Sequence, residues 1–124
     1  MDSFFGPVIV AYTRADALRD GVLVDVTPMA REAGFRVPVA LTRAVWVGVV
    51  EPDETPGQSV EGRLWDVLWM LHCAIRTGPR SGSIIRFQLY ALIGGVSRLV
   101  TLKAVMGPGD EGEPVLTVMW PDED

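Results

Sequence analysis

Residues 59–78, SVEGRLWDVLWMLHCAIRTG, carry the longest helical periodicity in the chain. At about 100° per residue, Val60, Leu64, Val67, Leu68, Leu71, Ala74 and Ile75 fall on one arc. Ser59 supplies an N-cap, Glu61 an acid in the first turn, Arg76 a base in the last turn, and Gly78-Pro79 a stop. The spacing predicts a helix over 60–77 with that arc as its core face. Beside the arc, Glu61, Trp65, Trp69, His72 and Arg76 form a second row. Arg63, Asp66 and Thr77 mark the side expected to meet solvent.

After this helix the period changes from 3.6 to 2. Over 83–92, Ile85, Phe87, Leu89 and Ala91 alternate with Arg86, Gln88 and Tyr90, as in a half-buried strand. Gly94-Gly95 is a hairpin signal, and 96–106 alternates again, with Val100, Leu102 and Ala104 on one face. GPGDEGEP at 107–114 is a wider turn, and 115–120 is a third strand ended by Pro121. A meander of this kind needs a cover on one face, and the 60–77 helix is the obvious one.

The N-terminal half is punctuated more finely. Residues 4–12 are an apolar lead-in, extended around Gly6-Pro7. Thr13, with Asp16 at N3, opens a short helix over 14–20 that stops at Gly21. Residues 22–26 form a brief strand or extended link; Thr27-Pro28 then caps a second short helix that runs to Ala33 before Gly34. Residues 39–50 carry valines that favour strand, yet Thr42 offers a cap, and a short helix after Thr42 is preferred. Residues 51–58 are a polar loop. The predicted fold is α+β in one domain over residues 1–124: a three-stranded antiparallel C-terminal sheet packed on a central helix, with short N-terminal helices.

Composition narrows the function classes. A chain of 124 residues, 48% hydrophobic and 22% charged, reads as one ordinary folded domain. No apolar run is long enough for a membrane span, and the N-terminus has an acid where a signal peptide would carry positive charge. With one cysteine, Cys73, placed inside the helix, the expectation is a cytoplasmic protein with an inert thiol. The net charge of −5 is uneven: Asp110, Glu111, Glu113, Asp122, Glu123 and Asp124 all fall after residue 107, where no base occurs. That argues against nucleic-acid binding; it is compatible with a protein partner with a basic surface or with a metal, and equally with a solubilising tail and a polar turn.

Candidate chemistry is sparse. Trp65 and Trp69 are either a binding surface or the edge of the core, and burial is the commoner fate of tryptophan. His72, the sole histidine, has no nucleophile or carboxylate spaced to serve it locally. One histidine and one cysteine do not supply a zinc site, and the 107–114 turn lacks the carboxylate spacing of an EF-hand, so no metal and no cofactor is expected. The motifs GxSxG, HExxH, CxxC and GxGxxG are absent. The expectation is a protein without catalysis.

Three stretches carry a resemblance: YTRADALRDGVLVDVTPMAREAGFRVPVALTRAVW (12–46), GRLWDVLWMLHCAIR (62–76) and LKAVMGPGDEGEPVLTVMWPDED (102–124). On these the chain resembles a family of small uncharacterised proteins carried on bacterial plasmids, integrated elements and phages. The resemblance implies a mobile-element context and brings no catalytic residues with it. The leading expectation is therefore an inhibitor of host defence, directed at CRISPR effectors or restriction enzymes. Asp110, Glu111, Glu113, Asp122, Glu123 and Asp124 would meet a basic partner surface, with Trp65, Trp69 or Trp120 as an apolar anchor. One alternative is a small-ligand module or enzyme with a pocket at Tyr12, Arg14, His72 and Arg76. Another is a structural homodimer joined through Trp46 or the edge of the 83–92 strand.

Overall fold

The computed structural model describes residues 11–51, 56–78 and 82–124; the apolar lead-in expected over 4–12 lies outside them except for its last two residues. In chain order the elements are α1 (Arg14–Arg19), β1 (Leu23–Asp25), α2 (Thr27–Glu32), β2 (Val39–Thr42), α3 (Arg43–Val45, continued by a π-helical turn over Trp46–Val50), α4 (Val60–Thr77), β3 (Ile84–Ile93), β4 (Val96–Pro108) and β5 (Pro114–Met119).

The sheet has five strands in the order β1-β2-β5-β4-β3. It is mixed. The β3-β4-β5 meander is antiparallel throughout, β2 joins β5 in parallel register with Val39 beside Leu116, and β1 closes the far edge antiparallel to β2. The expectation of a three-stranded antiparallel sheet is therefore corrected. β2 is the reason: Val39, Ala40 and Leu41 are all buried, so the strand has no alternation by which to announce itself.

The core lies between the sheet and α2, α3 and α4. Leu64, Val67, Leu68 and Leu71 of α4 meet Phe87, Leu89, Val100, Leu102, Leu116 and Val118 of the sheet. A fully buried leucine such as Leu68 or Leu71 contributes about 1.5–3 kcal/mol of burial. In the π-helical turn the Glu51 N–H donates to Trp46 O at 2.7 Å, and the wider winding brings both Val45 and Val50 to complete burial.

Behind the sheet lies α1. Its four leading N–H groups, which no helix can satisfy internally, are all engaged. The Thr13 and Asp16 N–H groups exchange bonds with each other's side chains at 3.1 and 3.0 Å, and the Arg14 and Ala15 N–H groups donate to the two Asp110 oxygens at 2.8 and 2.9 Å. For α2 the expected Thr27 cap is corrected. Thr27 is the first helical residue, buried, and its hydroxyl donates to Asp25 Oδ1 at 2.6 Å while accepting from the Val39 N–H at 3.1 Å. It ties β1, α2 and β2 together.

Candidate functional site

The second row of α4 sets two exposed indoles side by side on the helix surface. Trp65 and Trp69 are one helical turn apart, and their rings lie 9° from parallel with centroids 5.9 Å apart. The column continues: Trp69 stacks on His72 at 5.3 Å and 20°, and Phe35, arriving from the end of α2, meets the far side of His72 edge-on at 5.8 Å. Phe35 is buried and anchors the column to the core, while Trp65 and Trp69 stay 37% and 43% exposed. Gly34 permits this approach. It holds φ +104°, and a Cβ there would stand 3.1 Å from His72 Cε1. The indoles are thus a surface, where burial at the core's edge was the commoner expectation.

A cleft of about 530 Å3 opens beside the column, between α4 and the outer strand β3. It is lined by Asp66, Trp69, Met70, Gln88, Leu89, Tyr90 and Leu99. Met70, Tyr90 and Leu99 are themselves exposed, so apolar surface is continuous from the indoles across the cleft.

Arg63 departs from expectation. Placed by periodicity on the solvent side, it is buried at 6% exposure. Its guanidinium donates to Glu51 O at 3.1 Å and Leu92 O at 2.9 Å, clamping the end of the π-helical turn to β3. Aliphatic stems let arginine enter a core when its head finds carbonyls, and here Glu51 and Leu92, both distant in sequence, supply them.

The acidic residues do not form one surface. The turn at 109–113 and the tail at 120–124 lie at opposite ends of β5, whose six residues separate them by roughly 20 Å. Several of these acids are occupied internally. Asp110 caps α1, Glu113 Oε1 accepts from the Glu111 N–H at 3.0 Å, and Glu123 Oε1 accepts from the Thr42 hydroxyl and the Trp120 N–H, both at 2.8 Å. Lys103 Nζ donates to the Glu123 carbonyl at 2.6 Å, fixing the tail to β4. Trp120 is half-buried, packed where a Cβ on Gly48 would stand 3.0 Å from its ring. Glu111, Asp122 and Asp124 remain exposed.

The four residues expected to frame a ligand pocket are not brought together. Arg14 reaches Thr117 Oγ1 at 2.8 Å and Leu116 O at 3.1 Å, and Thr117 faces away from the Leu116 and Val118 side chains that meet α4. Burial lowers the Arg14 pKa from its ordinary value, opposed by the charges of Asp110, Asp25 and Glu113. The Tyr12 hydroxyl donates to Asp20 at 2.8 Å, which raises its pKa. His72 and Arg76 lie on α4, on the other side of the sheet, and the partners of His72 among the described residues are rings. Trp46 is half-buried against the core.

Among the described residues no three His, Cys, Asp or Glu side chains gather as metal ligands, and no helix is long and apolar enough to cross a membrane. No curated protein and no solved structure matches the chain. A family model does match, over residues 1–124, and the chain belongs to that family, the family of unknown function DUF6573.

Proposed function

We propose that this protein is a non-catalytic binding module that takes a protein partner on the exposed aromatic face of α4. The observation that carries the reading is the parallel stack of Trp65 and Trp69 with more than a third of each residue in solvent. Large indoles left in water forgo burial energy, and they are the residue type that dominates binding energies when a partner covers them. Stacking of Trp69 on His72, which Phe35 meets edge-on, holds the rings in place beforehand, which lowers the entropy lost on binding. Glu61 and Asp66, exposed on the same helix, favour a partner with basic groups around an apolar centre.

The sharper form, an inhibitor of a host defence complex, is supported by the resemblance to plasmid- and phage-borne chains. In that form the exposed acids Glu111, Asp122 and Asp124 act as two separate rim patches, and the indoles supply the anchor.

The test is a paired affinity capture from bacterial lysate. Wild-type protein is compared with a Trp65→Ala/Trp69→Ala double variant and with Glu111→Lys, at low and high salt. The reading predicts that the specifically enriched protein is lost on the double variant, and that Glu111→Lys weakens capture mainly at low salt. Equal capture by the double variant contradicts the assignment of the surface.

A further inference from the structure

Among the described residues, the outer edge of β3 is the least protected part of the sheet. The two-residue turn at Gly94-Gly95 makes Ile93 and Val96 a hydrogen-bonded pair, so odd-numbered residues of β3 turn their N–H and C=O toward β4 and even-numbered ones turn them outward. The Arg63 clamp agrees with this phase, because the carbonyl it reaches at the edge belongs to Leu92. Beyond the clamp, the outward backbone groups of Ile84, Arg86, Gln88 and Tyr90 have no hydrogen-bond partner among the described residues.

Sheets normally blunt such an edge with proline, lysine, a bulge or brevity. β1 at the opposite edge is three residues long. β3 has ten residues in unbroken register with β4, no proline, and Arg86 as its one charge. Ile84 and Tyr90 on its open face are 52% and 73% exposed.

We propose that β3 pairs antiparallel with β3 of a second copy about a two-fold axis at Phe87, joining two five-stranded sheets into one. The register follows from the edge itself. The free segment runs from Ile84 to Tyr90, and Phe87 is its centre. Ile84 then stands opposite the partner's Tyr90, Arg86 opposite the partner's Gln88, and Ile85 opposite the partner's Leu89. Every outward N–H and C=O of the segment is paired, apolar meets aromatic, and a cation meets an amide. Moving the axis to Arg86 sets two guanidinium groups against each other. Moving it to Gln88 or Leu89 runs the partner into Leu92, whose carbonyl Arg63 already holds. The incoming strand enters the cleft beneath Trp69 and Met70. The pairing is argued from the backbone of β3 and does not depend on the indole column as a partner site.

Sedimentation of the full chain over a range of concentrations tests it. The expected species has twice the chain mass of 13.5 kDa. Gln88→Pro removes an outward N–H that the monomer's own ladder does not use, and should give a folded monomer. Gln88→Lys places like charges opposite at two symmetric positions and should raise the dimer Kd by about tenfold or more. Adding Arg86→Glu to Gln88→Lys should restore the dimer, because the new acid faces the partner's lysine. A wild-type chain that stays monomeric overturns the proposal and leaves the edge to an extended segment of another protein. A dimer indifferent to Gln88→Lys, or one not restored by Arg86→Glu, overturns the register.

Discussion

Asp110 belongs, by sequence, to an acidic turn available to a partner; in the structure both its oxygens are held by the first N–H groups of α1. Charge-assisted bonds of this kind contribute about 1.5–3 kcal/mol each when well formed, less where solvent reaches them as here. Asp110→Lys should therefore lower the melting temperature, whereas Glu111→Lys, one residue away and exposed, should leave the stability within about 0.5 kcal/mol of wild type. Thermal denaturation of the two variants side by side checks this. Asp16 gives a pH signature for the same helix. Its carboxyl is held below the ordinary range, first by the Thr13 N–H, then by the Thr13 hydroxyl, with Arg19 adding a smaller part. A depressed folded pKa means the cap's contribution is complete above the unfolded value near about 4 and is lost as pH falls through the folded one. Amide exchange in α1 should accelerate over that acid window relative to α4, and Asp16→Ala, which removes the titrating carboxyl, should remove much of the difference. Equal acid sensitivity in both variants would contradict the cap's role.

At the scale of elements, α4 shows what a sequence can reveal and what it hides. Its ends and its core face were legible because eighteen residues of amphipathic helix carry their own caps and period. Its exposed face was not, because Arg63 and the two tryptophans take their environments from other segments. Arg63 is held by the Glu51 and Leu92 carbonyls, and Trp69 is propped by His72, which Phe35 meets in turn. β2 was hidden for a different reason: three successive buried residues, Val39, Ala40 and Leu41, look alike whether helical or extended, and the parallel pairing to β5 spans most of the chain. Thr42 illustrates the reverse case, since its hydroxyl accepts from the Val45 N–H at 3.3 Å as the expected short helix requires. The clamp itself yields a prediction. Arg63→Leu strands the Glu51 and Leu92 carbonyls and should destabilise the fold by about 2–4 kcal/mol, read as a lower urea midpoint. A midpoint unchanged from wild type would show that the clamp is dispensable.

For the molecule as a whole, neighbours in sequence are poor guides to neighbours in space. Six acids crowded into the last eighteen positions read as one anionic end, yet β5 carries the turn and the tail apart, and Asp110 and Glu123 serve the fold. Tyr12, Arg14, His72 and Arg76 read as one pocket, yet the sheet stands between Arg14 and His72. What the fold does gather is aromatic: Trp65, Trp69 and His72 in a column beside the cleft that Met70, Tyr90 and Leu99 line. The measurement that bears most directly on this surface is photocrosslinking in living bacteria, with a benzophenone amino acid placed in turn at Trp65, Glu111 and Asp122. The account predicts a covalent adduct with another protein from position 65, in higher yield than from the rim positions 111 and 122. Adducts from 111 and 122 with none from 65 would contradict it and return the acids to the centre of the binding surface.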